Sequence, residues 1–71
     1  MNVERLISMA NQIGSFFEGL PDRDEAVAGI TDHIKRFWDP RMRQAIVEHF
    51  EAGGNGLKEI VSEAVRKLAV S

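Results

Sequence analysis

The chain contains no cysteine and no tyrosine among its 71 residues, and it has one tryptophan and two histidines. Without cysteine it has no disulfide and no thiolate-ligated metal, which are common supports of a small core. A chain of this length buries only about 60% of the surface that its unfolded form exposes. We therefore expect a thin core, and a partner protein that covers part of the surface.

Long apolar runs and a basic excess are also missing. No apolar run is long enough to form a transmembrane helix. The acidic Glu4 in the opening stretch MNVERLISMANQ does not fit a secretory signal. The cytoplasm is therefore the expected location. The formal net charge of −2 disfavours a protein that binds nucleic acid mainly through its charge.

Apolar residues instead recur at the three-and-four spacing of amphipathic helices, in four segments. We predict helices over approximately 3–18, 23–38, 40–52 and 57–69, within a single domain that spans residues 1–71. The inward positions are Val3, Leu6, Ile7, Ala10, Ile13, Phe17 and Leu20; Ala26, Val27, Ile30, Ile34 and Phe37; Met42, Ala45, Ile46, His49 and Phe50; and Leu57, Ile60, Val61, Ala64, Val65 and Leu68. Phe16 widens the apolar arc of the first segment. Because no segment alternates like a strand, the predicted fold class is all-α, a small bundle of four short helices.

The predicted boundaries rest on capping residues and breakers. Asn2, Asp22 and Asp39 are suitable N-caps, because their side chains can accept backbone N–H groups of the first helical turn. Pro40 suits the first position of a helix and cannot continue the preceding one. The stretch GGNG at 53–56 is too rich in glycine to remain helical. The stretch FWDP is therefore predicted to form a corner between the second and third helices.

No pattern of residues predicts catalysis or metal binding. His33 and His49 provide two ligands at most, and a metal site would need carboxylates to complete it. Hydroxyl side chains are present, but no catalytic motif flanks them, and we expect all of them on polar surface positions or in turns. These residues are Ser8, Ser15, Ser62 and Thr31. The glycines of GGNG lack the preceding strand and the lysine–serine pair of a phosphate loop. We therefore expect no catalytic, cofactor-binding or metal-ligating residue.

The stretch HIKRFWDPRMR, residues 33–43, places four cations around the only tryptophan. Lys35 and Arg36 suit the negative end of the second helix, whereas Arg41 opposes the positive end of the third. Two interpretations of Arg41 remain open: it pairs with Asp39, or it binds a partner.

Arg43 and Val47 fall outside the predicted inward face of the third helix. With the neighbouring tryptophan they have the composition of a protein-binding hot spot. The predicted partner-binding residues are Phe37, Trp38, Asp39, Arg41, Arg43 and Val47.

Two other functions also fit parts of the pattern. Two helices that meet at FWDP could form a helix-turn-helix that reads nucleic acid, with Arg41 and Arg43 at the start of the recognition helix. Alternatively, the wide apolar face of the first helix could make the chain a self-associating module, in which the isolated chain forms a homodimer.

Several stretches together resemble a known family. MANQIGSFF (Met9–Phe17), PDRDEAV and HIKRFWDPRMR (within Pro21–Arg43), GLKEIV and AVRKL are similar to the delta subunit of soluble NAD-dependent formate dehydrogenases. The resemblance covers nearly the whole chain, and the histidine, the aromatic pair and the Asp-Pro-Arg-Met-Arg corner carry most of it.

The resemblance implies a non-catalytic accessory subunit in a cytoplasmic molybdenum enzyme that oxidises formate and reduces NAD. It implies that the large alpha subunit holds molybdopterin and most iron–sulfur clusters, and that the beta and gamma subunits hold FMN and the NAD site. The implied partner is the alpha subunit and, through it, the beta and gamma subunits. The implied role is to assist the assembly, stability or cofactor maturation of the alpha subunit. The absence of cysteine agrees with this, since iron–sulfur ligation normally requires thiolates.

Overall fold

A computed structural model describes residues 2–71 of the chain, and most of these residues are helical. The four helices are α1 (Val3–Phe17), α2 (Arg23–Phe37), α3 (Pro40–Glu51) and α4 (Glu59–Ala69). No strand occurs within residues 2–71. The predicted all-α bundle of four short helices is therefore confirmed. None of the helices in this part of the chain has both the length and the apolar character to cross a membrane.

The first three helices begin at the predicted capping residues. The side-chain oxygen of Asn2 accepts the N–H of Glu4 at 2.9 Å. Asp22 accepts the N–H of Asp24 at 2.9 Å, and Asp39 accepts the N–H of Met42 at 3.0 Å. Each cap satisfies a donor that has no partner within its own helix.

The fourth helix begins at Glu59, two residues after the approximate predicted start, and a residue of α1 binds the chain just before it. Lys58 is extended, and its N–H donates to the side-chain oxygen of Asn11 on α1 at 3.0 Å. The side-chain NH₂ of Asn11 also donates to the carbonyl oxygen of Gly56 at 2.9 Å. The turn before α4 has positive φ at Gly53, Gly54 and Gly56, which explains its glycine content.

The directions of the helices follow from their contacts. α1 and α2 are antiparallel, since the short connection 18–22 joins them and Phe17 lies against Gly29. α2 and α4 run in the same direction. Arg23 at the start of α2 forms ion pairs with Glu59 and Glu63 at the start of α4, and the ends of both helices line one groove.

The core lies where α2 and α4 pack together, and α1 and α3 close it from the sides. Ile30 and Ile34 of α2 and Val61 and Val65 of α4 are fully buried. Thr31 is also buried, so its predicted surface position is wrong. Its hydroxyl oxygen lies 3.0 Å from the carbonyl oxygen of Val27 and 3.1 Å from that of Ala64. The hydroxyl donates to these carbonyls, so the buried polar group keeps a hydrogen-bond partner.

α1 crosses α4 at a position where glycine is required. A Cβ atom on Gly14 would lie 2.5 Å from a methyl carbon of Val61. Val61 is completely buried and β-branched, so its side chain has few alternative rotamers. The absence of a side chain at Gly14 therefore allows the two helices to approach each other closely.

We predict that Gly14→Ala destabilises the chain. Alanine has a helix propensity about 1 kcal/mol better than that of glycine, but overpacking a rigid core costs about 1 to 3 kcal/mol. Urea unfolding followed by circular dichroism should therefore show a lower free energy of unfolding. The matched control is Gly19→Ala, because a Cβ on Gly19 would meet its nearest neighbour at an ordinary 3.6 Å. A Gly14→Ala variant as stable as the unchanged chain would contradict this account of the crossing.

Candidate protein-binding surface

Trp38 lies in the core and not on the surface. Its side chain is 4% exposed, and its backbone is extended although its N–H still donates to the carbonyl oxygen of Ile34 at 3.0 Å. Helical spacing therefore no longer describes where the indole points. Trp38 is among the predicted partner-binding residues, but at this burial it has little surface to offer a partner directly.

Phe37 has the opposite position. Helical spacing places it on the inward face of α2, but its side chain is 71% exposed. Its ring centroid lies 4.7 Å from that of His33, one turn earlier on α2. Trp38 thus fills the core at the end of α2, and Phe37 projects beside it into solvent.

Arg43 connects the two helices of the corner. One of its guanidinium nitrogens donates to the carbonyl oxygen of Lys35 at 3.2 Å and to that of Trp38. The last carbonyls of a helix have no partner within the helix, and a charged donor makes stronger hydrogen bonds than a neutral one. Arg43 therefore caps the end of α2 from α3, a role that helical spacing does not predict.

The remaining predicted residues of the corner divide between structure and surface. Asp39 is the N-cap of α3. Val47 is half-buried and packs against the core. Only part of its side chain is therefore exposed beside the corner. Arg41 is exposed and forms no ion pair with any residue of 2–71. Of the two interpretations of Arg41, pairing with Asp39 is therefore not observed.

A second exposed feature lies beside the corner, between α1 and α2. We call it the aromatic ridge, and it consists of Phe16, Phe17, His33 and Phe37. Phe16 is 77% exposed, although helical spacing places it at the inward arc of α1. It meets Phe17 edge to face, with ring centroids 5.1 Å apart. Phe16, Phe17 and His33 line an apolar cleft together with Gln12 and Ile13.

The two histidines lie in separate surroundings. His33 belongs to the aromatic ridge, whereas the Nε2 atom of His49 lies 2.7 Å from the carbonyl oxygen of Asn55 in the glycine turn. Within residues 2–71, no group of three or more potential ligands is placed to hold a metal ion. His49 thus joins the end of α3 to the turn before α4.

A scan against protein families matches residues 5–65 to the family described as NADH-dependent formate dehydrogenase delta subunit FdsD. The chain belongs to this family. The match includes both the corner and the aromatic ridge, and it confirms the family resemblance of the sequence. Neither the search of curated proteins nor that of solved structures found a match. As its description states, the FdsD family is one of formate dehydrogenase subunits.

The two arginines at the start of α3 give a matched test of the corner. We predict that Arg43→Ala lowers the free energy of unfolding by about 1 to 2 kcal/mol, because a charged donor to two helix-end carbonyls is lost. Arg41→Ala should be neutral or slightly stabilising, because it removes a cation from a helix N-terminus. Thermal and urea unfolding of both variants would measure the difference. Equal stabilities would show that Arg43 does not hold the end of α2.

Proposed function

We propose that this chain is a non-catalytic accessory subunit that binds the large molybdenum-containing subunit of a cytoplasmic NADH-dependent formate dehydrogenase. In this proposal the other subunits carry molybdopterin, the iron–sulfur clusters, FMN and NAD, and the delta chain carries no cofactor. Its membership of the FdsD family supports a place in the complex. The chain has no cysteine, which supports the proposal that other chains provide the thiolate ligands of the iron–sulfur clusters.

The aromatic ridge is the observation that carries the proposed docking. Phe16 and Phe37 are 77% and 71% exposed, while the core residues around them are almost completely buried. Burying one such phenylalanine in an interface contributes about 2 kcal/mol, and aromatic residues are common in interface hot spots. Two phenylalanines are therefore enough to change the affinity for a partner by about two to three orders of magnitude.

The predicted partner-binding residues of the corner take different parts in this proposal. Phe37 and Arg41 contact the large subunit directly, because both are exposed. Trp38, Asp39 and Arg43 act indirectly, by holding α2 and α3 at a fixed angle. Half-buried Val47 contributes the edge of the contact.

Docking alone can account for an accessory role. A protein that binds the folded form of its partner and not the unfolded form stabilises it by mass action. The delta chain would thus favour the folded large subunit while the complex assembles and its cofactors are inserted. This role requires shape and affinity and involves no bond-making step.

We predict that the tagged chain co-purifies with the large subunit when it is expressed with the other formate dehydrogenase subunits. A Phe16→Ala/Phe37→Ala variant should bind at least about a hundredfold more weakly, since it loses both exposed rings. Leu20→Ala is the control, because Leu20 is an exposed apolar residue outside the ridge. Capture followed by quantitative mass spectrometry and calorimetric titration would measure the difference.

The same samples test the accessory role. Without the delta chain, the large subunit should be recovered in lower yield and with less molybdenum per protein. The purified delta chain alone should not oxidise formate. Formate oxidation by the delta chain, or full molybdenum loading in its absence, would contradict the proposed function.

A further inference from the structure

Most of the positive charge lies in two short segments, residues 35–43 and 66–71, which we call the basic end. The basic end contains six of the nine cationic side chains and a single acidic side chain, Asp39, for a formal side-chain charge of +5. The remaining residues contain three cations and ten carboxylates, for a formal charge of −7. The six cations are Lys35, Arg36, Arg41, Arg43, Arg66 and Lys67.

The fold brings these two segments together, although they are far apart in sequence. α2 and α4 run in the same direction, so that their C-terminal ends lie at one end of the bundle, where α3 begins. Two of the six cations, Lys35 and Arg43, line a single groove there, together with Gln44, Val47, Leu68, Ala69 and Ser71. The concentration of charge is therefore a property of the folded chain.

Helix stability explains only part of this charge. Cations in the last turn of a helix compensate a partial charge of about −0.5 at each C-terminus, which favours Lys35 and Arg36 of α2 and Arg66 and Lys67 of α4 where they stand. The two termini thus offset roughly one of the five surplus charges. Arg41 has no such explanation, because it lies in the first turn of α3 and opposes the positive end of that helix.

Ion pairs within the chain do not neutralise the basic end either. Within residues 2–71, Arg36 is the only one of its cations that forms an ion pair, with Asp32 at 3.1 Å. The other ion pairs within residues 2–71 involve Arg23 and Lys58, which lie elsewhere. Four cations of the basic end are exposed and have no carboxylate partner in this part of the chain. They are Lys35, Arg41, Arg66 and Lys67.

We propose that the basic end binds an acidic stretch of Asp and Glu residues on the subunit that receives the delta chain. This inference rests on the proposed function, and it adds the chemistry of the partner surface to it. The carboxylates would pair with the exposed cations, and apolar side chains between them would contact Val47 and Ala69 along the groove. Complementary charge of this kind steers two proteins into one orientation and raises their association rate.

An acidic protein surface fits the basic end better than a nucleic acid does. The rest of the chain carries a formal −7 and would repel a polyanion that extends beyond the basic end. Beside its basic and neutral polar side chains the groove also contains the apolar Val47, Leu68 and Ala69, which make no hydrogen bonds to phosphate. Duplex DNA is therefore the alternative partner that the experiment has to distinguish.

The decisive variant is Arg41→Glu, and Arg5→Glu is its matched control. Both arginines are exposed, lie in the first turn of a helix and form no ion pair within residues 2–71, but Arg5 is outside the basic end. Both substitutions change the net charge equally and place a favourable carboxylate at a helix N-terminus. Neither variant should therefore unfold more easily than the unchanged chain.

We predict that Arg41→Glu weakens binding to the co-expressed formate dehydrogenase subunits by about tenfold, while Arg5→Glu changes it by less than about threefold. The Arg66→Gln/Lys67→Gln variant should also bind more weakly. Raising NaCl should weaken binding of the unchanged chain more than that of Arg41→Glu, because salt screens exposed charges. Biolayer interferometry at several salt concentrations would measure these affinities.

The outcomes separate this inference from the proposed function. Equal affinities of Arg41→Glu, Arg5→Glu and the unchanged chain would overturn the acidic partner surface and the direct contact of Arg41, and would leave the accessory role and docking through the aromatic ridge standing. If the unchanged chain captured no subunit, the proposed function would fail, and this inference would fail with it. Salt-sensitive binding of duplex DNA that Arg41→Glu abolishes would also overturn the inference, in favour of a nucleic-acid partner.

Discussion

The parallel packing of α2 against α4 is the arrangement on which the other features depend. Ile30 and Ile34 on one helix and Val61 and Val65 on the other are fully buried, and burial of such side chains is the main favourable contribution to the stability of a small domain. The hydroxyl of Thr31 lies within hydrogen-bond distance of the carbonyl oxygen of Ala64 on the other helix, so the seam between the helices also contains a satisfied polar group. Two helices that run in the same direction need a long connection, and α3 with the glycine turn provides it. Their common direction also places both C-terminal ends beside the start of α3.

Several contacts at the helix ends come from a different helix. Arg43 of α3 donates to carbonyl oxygens at the end of α2, and Asn11 of α1 accepts the N–H that precedes α4. Each contact satisfies a backbone group and fixes the position of two elements at once. A chain of this length buries a smaller fraction of its surface than a larger domain does. These contacts therefore help to fix helix positions that a larger core would otherwise fix. The corner can thus present Phe37 and Arg41 at fixed positions although the bundle is small.

Local chemistry in the sequence was enough to predict the four helices and three of their caps. Asn2, Asp22 and Asp39 act through hydrogen bonds two or three residues away, so their role depends on nothing outside the segment. The positions of Trp38 and Phe37 were not predictable in this way. Helical spacing assumes a helical backbone, and the chain becomes extended at Trp38. Contacts between helices determine the role of Arg43, the burial of Thr31 and the clustering of the basic end. The sequence pattern of one helix does not predict such contacts. Phe16 and Phe37 would be expected inside from hydrophobicity alone, and their exposure marks the aromatic ridge.

The burial of Trp38 gives the molecule an internal optical reporter. It is the only tryptophan, and the chain has no tyrosine, so the intrinsic ultraviolet emission of the isolated protein comes essentially from the indole ring at the corner. With 4% of its surface exposed, the indole is shielded from water while the corner is intact and becomes hydrated when α2 and α3 separate. A ligand that contacts only Phe37 and Arg41 leaves the indole in its dry surroundings, so emission would distinguish surface contact from opening of the corner.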